Sequence, residues 1–281
     1  MEYTLNLHDG FGQCGDSLQY ETSIFPGGEI WIKVNVPMCV DSVRINSRCN
    51  NSNDLMRIIM AVDALRNRSV TKIELFIPYF PYSRQDRVCA PGEAFSVKTI
   101  CGMLKQLNLY NIITYDIHSN VPGILLDNLI NYNNHREVID FVDYLKIPEN
   151  NFVLICPDAG AIKKSQSLLT VYSNTFKSIV YCQKERVNSN VVISMGNNYI
   201  EGMTAFVVDD ICDGGATFEA IGRELQQAKV KESYLFVSHG IFSKSTYELV
   251  KYYKKIGTSN SIHEDDFIEE LPGVKSFKLD Y

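Results

Sequence analysis

Three aspartates, Asp209, Asp210 and Asp213, stand just ahead of two glycines in the stretch TAFVVDDICDGGATFE, residues 204–219. The apolar run Ala205 to Val208 reads as a buried strand that stops at the acids, and a helical pattern begins at about Ala216. A strand, a tight loop and a helix start at one point make an anion site. The first amides of a helix lack internal partners, and glycine lets backbone approach a phosphate closely. Gly214, Gly215, Ala216 and Thr217 would supply those amides, while the carboxylates suit sugar hydroxyls or a Mg²⁺ carried by the ligand. The plainer alternative is that Asp-Gly-Gly only closes a turn.

Other stretches carry complementary groups. The segment PYFPYSRQDRVCAPGEAFSVKTICGML, 78–104, follows a strand pattern and offers aromatic rings with Arg84, Gln85 and Asp86. Rings stack on a base and guanidinium forks meet phosphate oxygens, so this loop suits a nucleotide, although a solvated loop over tucked aromatics has the same composition. His118 lies just beyond the strand pattern Ile112 to Tyr115, and Asp158 opens PDAGAIKK, 157–164, at another strand-to-helix turn. A lone histidine is more often simply hydrogen-bonded, but beyond a strand end it can also reach a ligand. Lys184, Glu185 and Arg186 begin a polar segment; a mobile loop carrying Lys184 and Arg186 can supply charge to a phosphoryl group in flight. Taken alone, the same letters describe a solvated hairpin tip.

These groups need a scaffold, and the periodicity supplies one. Alternation at Ile30, Ile32 and Val34 predicts a half-exposed strand after a Pro-Gly-Gly turn, and Asn53-Asp54 is expected to cap a helix through Leu65. Strands are expected at Tyr3–Leu7, Asp41–Asn46, Ile73–Ile77, Ile112–Tyr115, Phe152–Ile155 and Ser178–Tyr181. Helices are expected from Glu93 or Ala94 to about Leu107 and from Val138 to Leu145. The order strand, loop, helix restarts near residue 150, which implies an α/β protein with domains 1–140 and 141–281. The acidic EDDFIEE stretch near the end is expected to be a solvated helix.

Composition narrows the function classes. The chain has 281 residues, 45% apolar and 21% charged, as expected of an ordinary globular protein. A net charge of −6 argues against general affinity for nucleic acid, so an anionic substrate must be held by local clusters. The start MEYTLNLHDG lacks a leader pattern and no apolar run has membrane-spanning length, so no membrane partner and a cytoplasmic location are expected. Eight cysteines stand singly, without a zinc-like grouping, and read as free thiols. Cys212, inside the acidic loop, is the one whose oxidation is expected to block the site.

In order and at similar separations, IPYFPYSRQDR, DIHSN, PDAG with its lysines, KER and VVDDICDGGAT resemble the ribose-phosphate diphosphokinases, or phosphoribosyl pyrophosphate synthetases. The likeness runs from about Phe25 to about Ser259. It implies two tandem phosphoribosyltransferase-like domains, each a mainly parallel sheet flanked by helices. It also implies Mg²⁺-dependent transfer of the β,γ-diphosphoryl group of ATP to the anomeric hydroxyl of ribose 5-phosphate. By position, Asp209, Asp210, Asp213 and the backbone of Gly214 to Thr217 would hold the sugar phosphate. Arg84, Gln85 and Asp86 would contact ATP, joined by Phe25 and Glu29 from a neighbouring subunit of a homo-oligomer. His118 and Asp158 would ligate Mg²⁺ or its waters, and Lys184 and Arg186 would stabilise the migrating group.

The departures bear on the substrate. The family usually has an acid where Gly27 stands, follows RQDR with a basic segment where this chain has VCAPGEAFS, and commonly has Thr where Gly214 stands. Without that hydroxyl the loop has more room beside the phosphate, so ADP-ribose is an alternative acceptor, giving a diphosphorylated ADP-ribose for NAD⁺ reconstruction. That activity occurs among phage-encoded relatives, for which the location is the host cytoplasm. A non-catalytic regulatory homologue is a further alternative. An ordinary phosphoribosyltransferase explains VVDDICDGGAT but leaves RQDR unused.

Overall fold

A computed structural model describes residues 2–147, 152–187, 190–195 and 199–279. Two compact units divide the chain, one reaching Asn133 and regaining the chain end from Leu279, the other spanning Asn134–Lys278. No helix among the described residues is long and apolar enough to cross a membrane.

The first unit contains β1 (Glu2–Asn6), β2 (Asp16–Ser17), β3 (Gln19–Ile24), β4 (Ile30–Asn35), β5 (Ser42–Asn46), α1 (Ser52–Arg66), β6 (Lys72–Phe76), α2 (Ser96–Gln106), β7 (Asn111–Tyr115), α3 (Val121–Leu125) and β8 (Leu129–Tyr132). Six strands form a parallel sheet in the order β2-β1-β5-β6-β7-β8. Its apolar face, with Leu5, Val43, Ile45, Ile73 and Leu75, packs with Leu55, Ile58, Val62 and Leu65 of α1 and Val97, Ile100 and Leu104 of α2. Strands β3 and β4 form a separate antiparallel hairpin.

The cap of helix α1 is Asn51, two residues before the expected Asn53. Asn51 accepts from the Asp54 amide at 3.0 Å while the Asp54 carboxylate reaches back to the Asn51 amide, a reciprocal capping box. Helix α2 begins later than expected, because Glu93 instead accepts from the amides of Cys89 and Ala90 at 2.8 and 3.0 Å and closes a turn.

The second unit contains α4 (His135–Leu145), β9 (Phe152–Cys156), α5 (Ile162–Val171), β10 (Phe176–Tyr181), β11 (Gln183–Val187), β12 (Asn190–Ser194), β13 (Thr204–Cys212), α6 (Ala216–Gln227), β14 (Glu232–Gly240), β15 (Lys255–Ser259), α7 (Asp265–Glu270) and β16 (Val274–Phe277). Six of its strands form a second parallel sheet, β10-β9-β13-β14-β15-β16. Phe141 of α4 lies 5.6 Å from Phe206 and 6.0 Å from Phe236, ring centre to ring centre, within a buried aromatic cluster. That packing assigns the whole of α4 to the second unit, so a division after residue 140 would cut a helix; the compact units meet after Asn133.

The chain end is more built than its acidic letters indicate. Helix α7 buries Ile268, and β16 pairs in parallel with β15 as the edge of the sheet. Both units therefore have the expected parallel-sheet α/β architecture.

Candidate functional site

In the second unit the acids lie on β13 itself rather than after it. The strand keeps pairing with β14 past the apolar run, Asp209 opposite Val237 and Cys212 opposite Gly240. Four further residues are thus held in register before the loop, which fixes Asp209 and Asp210 far more tightly than a loop would. Gly215 then turns the chain with φ of 81°, a left-handed conformation that favours glycine, and α6 starts at Ala216. The amides of the first turn of α6 face outward from this junction in the manner of an anion site.

The loop is fastened from β14 and the segment after it. The Ser243 hydroxyl donates to Asp213 Oδ1 at 2.6 Å, and the amides of Ile241 and Phe242 donate to the Cys212 carbonyl at 2.9 and 3.1 Å. Gly214 has an ordinary backbone conformation; a Cβ built there would lie 3.5 Å from Cδ of Lys244, in normal contact.

Asp210 is 8% exposed and accepts from Lys164 Nζ at 3.3 Å. Its amide donates to Asp209 Oδ1 at 2.9 Å. Burial, then the charges of Asp210 and Asp158, push the Asp209 carboxyl well above the usual range, against the Asp210 amide and Lys164. As a whole residue Asp209 is only partly exposed, in keeping with that shift. Asp158 caps the turn before α5, its Oδ1 accepting from the amides of Gly160 and Ala161 at 2.9 and 3.3 Å. Lys164 was legible only as one of two lysines after PDAG; its pairing with an acid on another strand carries no sequence signal.

Cys212 corrects an expectation. It is fully buried, and burial followed by the charges of Asp209, Asp213 and Glu219 pushes its thiol up, so it stays protonated and shielded. Oxidation there is not an accessible route to blocking the loop.

In the first unit, Arg84, Gln85, Asp86 and His118 line one cavity of about 640 Å³, with Arg87 and Glu93. Arg84 and Gln85 also border a second cavity of about 600 Å³ beside Asn50, Asn51 and Ser52 at the start of α1. The Ser119 hydroxyl donates to Asp86 Oδ2 at 2.9 Å, and Arg87 Nε donates to Oδ1 at 3.1 Å. Burial acts to raise the Asp86 pKa, but those two hydrogen bonds and the charges of Arg87 and His118 outweigh it and hold the carboxyl below its ordinary value. Ser119 is the residue here that sequence reading missed, although it directly follows His118 in DIHSN.

Phe25 and Glu29 do not line either cavity. They close the turn between β3 and β4, the Phe25 amide donating to the Glu29 carbonyl at 2.9 Å, with Phe25 52% exposed. A Cβ at Gly27 would come within 2.5 Å of Glu29 Oε2, so a side chain there would turn the Glu29 carboxylate away.

Lys184 and Arg186 sit on β11, paired opposite Ile193 and Val191 of β12, so their backbone forms an antiparallel hairpin rather than an irregular loop. Their side chains, and residues 188–189 of the NSN segment, lie outside the described residues.

Among the described residues no three His, Cys, Asp or Glu side chains converge to hold a metal. His118 and Asp158 stand in separate units, each offering an individual contact. Such a sparse donor set fits Mg²⁺, which takes much of its shell from water and substrate phosphates, rather than an ion needing a protein cage.

The comparisons with known proteins converge. Residues 16–107 match the N-terminal domain of ribose phosphate pyrophosphokinase, and residues 126–276 match the phosphoribosyl transferase domain, reaching past Ser259 into β16. The ribose-phosphate pyrophosphokinase of Pyrococcus abyssi is 26% identical over 267 residues, covering 92% of this chain and 89% of that protein. A putative ribose-phosphate pyrophosphokinase 2 of Streptococcus agalactiae is 27% identical over 235 residues, 81% of this chain and 70% of that one. The crystal structure of phosphoribosylpyrophosphate synthetase from Mycobacterium smegmatis shares the fold with a TM-score of 0.81 at 18% identity, over 99% of this chain and 94% of that one. The chain belongs to the ribose-phosphate pyrophosphokinase family.

Proposed function

We propose that the protein transfers the β,γ-diphosphoryl group of Mg²⁺-ATP to the anomeric hydroxyl of ribose 5-phosphate, giving phosphoribosyl pyrophosphate and AMP. The observation that carries this reading is the junction of β13 and α6, which joins two acids on a strand, a left-handed Gly215 and open helix amides in one loop. Family membership supports it, as does the shared cavity of Arg84, Asp86 and His118.

In this reading the 5-phosphate rests on the amides of Gly214 to Thr217, while Asp209, Asp210 and Asp213 orient the ribose hydroxyls. Arg84 and Gln85 hold the nucleotide, with Asp86 kept ionised by Ser119 and Arg87. Lys184 and Arg186 compensate the charge that builds as the anomeric oxygen bonds to the β-phosphorus and its bond to the AMP oxygen breaks. Mg²⁺ would neutralise phosphate charge, with His118 in the first unit and Asp158 in the second each offering a contact to the ion or its waters. Catalysis is by positioning and charge compensation, and no general base is assigned. The exposed turn with Phe25 and Glu29 completes the ATP site of a second copy, so the active form is a homo-oligomer.

AMP release with purified protein, Mg²⁺, ATP and ribose 5-phosphate tests the activity, and Lys184→Ala is expected to lower it by roughly 10³-fold. Unchanged AMP release in Lys184→Ala would overturn the role given to the hairpin, and no release by the native protein would favour the regulatory homologue.

The placement of Lys244 beside the position of a Gly214 Cβ favours a second reading. Where the family commonly has Thr, the stem of an exposed lysine lies 3.5 Å from where a Cβ on Gly214 would stand, and among the described residues nothing pairs with its ammonium. An additional cation beside the loop suits an acceptor with more than one phosphate, such as ADP-ribose. Release of AMP with ribose 5-phosphate but none with ADP-ribose sinks this alternative.

A further inference from the structure

The second face of the first sheet is unlike the face under α1 and α2. Neighbouring strands present Thr4 and Asn6 from β1, Arg44 and Asn46 from β5, and Glu74 and Phe76 from β6, in register. Its apolar content is the small cluster Phe11, Phe76, Ile113, Tyr115 and Leu279. The segment after β1 roofs this face and is tied down along its length. Arg48 Nη1 donates to the Asp9 carbonyl at 2.7 Å, Asn46 Nδ2 to the Gly12 carbonyl at 3.1 Å, and Thr4 Oγ1 exchanges hydrogen bonds of 2.6 and 2.8 Å with the backbone of Cys14.

Beneath the roof is a cavity of about 280 Å³, bordered by Phe11, Phe76, Leu279, Arg44, Asn46 and Gln13. Arg44 is 7% exposed. Its Nε donates to Asn46 Oδ1 at 2.9 Å, Nη1 meets only the Sγ of Cys14 at 3.9 Å, and the guanidinium lies 4.9 Å from the centre of the Phe76 ring. Glu74, its register partner, gives its carboxylate to Asn111 Nδ2 at 3.0 Å, and no acid pairs with Arg44 among the described residues. A buried guanidinium that meets only an amide oxygen, a thiol and a ring among the described residues is costly unless a counter-charge reaches it.

We propose that this cavity binds a small organic anion, a carboxylate or phosphate on a compact apolar body, with the anionic group on Arg44 and the body between Phe11, Phe76 and Leu279. Both oxyanions suit the planar fork of arginine, and the apolar wall excludes a fully hydrated inorganic ion. The site is separate from the loops assigned to ATP and the sugar phosphate, so it does not depend on the proposed reaction.

Calorimetric titration of the full chain with benzoate, phenyl phosphate and benzyl alcohol tests it. Saturable one-to-one binding of at least one anion is expected, with the two anions telling carboxylate from phosphate, and benzyl alcohol binding at least tenfold more weakly. Arg44→Met is expected to lose roughly 10-fold or more of the anion affinity while keeping AMP release unchanged. Arg44→Lys, which keeps the charge but not the fork, is expected to lose part of it and serves if Arg44→Met does not fold. Absence of anion binding up to millimolar concentration, equal binding of benzyl alcohol, or wild-type affinity in both variants would overturn the proposal.

Discussion

Lys164 Nζ donates to Asp210 Oδ2 at 3.3 Å across 46 positions of sequence, binding the first turn of α5 to the acids of β13. The lysine is 36% exposed in its side chain and the aspartate 11%. Asp210 is buried and Lys164 only partly exposed, so Lys164→Met leaves a buried carboxylate without this partner and is expected to cost roughly 1–3 kcal/mol. It also leaves Asp209 and Asp210 without the charge of Lys164. The KM for the sugar acceptor should therefore rise about 10-fold with kcat less affected, in steady-state assays with the acceptor varied; an unchanged KM would remove Lys164 from the site.

Ser119 supports Asp86 through a hydrogen bond to its charged form. The folded pKa of Asp86 is depressed, so the ionised state persists above that lowered value and is lost only as pH falls through it. Ser119→Ala moves the pKa back up. The acid limb of the pH profile of kcat/KM for ATP is expected to shift to higher pH, and an unmoved limb would dissociate Asp86 from ATP binding.

Asp209 has the opposite sign. Its folded pKa is raised, so its contribution to stability is fully present below the ordinary aspartate value of about 3.9 and is lost as pH rises through the raised value. Asp209→Asn removes that loss. Urea denaturation is expected to find the variant more stable than the native chain at neutral pH and equal to it near the acid end, with AMP release reduced.

The two loop glycines should behave differently. At Gly215 the left-handed φ of 81° and the Leu249 methyl at 3.3 Å both oppose a side chain, so Gly215→Ala is expected to cost about 1–2 kcal/mol. Gly214→Ala meets only the Lys244 stem at 3.5 Å and should stay within about 0.5 kcal/mol of the native chain. Denaturation midpoints measured side by side check the contrast.

Thiol labelling tests the environment of Cys212. Cys39 and Cys89 are exposed, whereas Cys212 is buried with its thiol held protonated. In the native chain an alkylating reagent followed by mass spectrometry is expected to modify Cys39 and Cys89 and to spare Cys212 until denaturant is added.

Much of the architecture was legible because a buried parallel strand needs a short apolar run and an amphipathic helix needs a periodic stripe. FVLIC of β9 and LMRIIMAVDAL of α1 carry those patterns in their letters. Boundaries were less legible. The end of β13 depends on hydrogen bonds from β14, so polar Asp209 and Asp210 stay in the strand although they break its apolar pattern. The start of α2 depends on where the Glu93 carboxylate folds back, and the unit boundary on which aromatic rings Phe141 meets.

The residue types and their order determined the family, the two parallel-sheet units and the stretches that carry Arg84, His118, Asp158 and Asp209, because those features are local in sequence. Tertiary structure alone decided which groups meet: Ser119 with Asp86, Lys164 with Asp210, Lys244 with Gly214, and Arg44 with a cavity instead of an acid. Charge and protonation depend on distance and burial, and those arise only when strands far apart in the chain come to lie side by side.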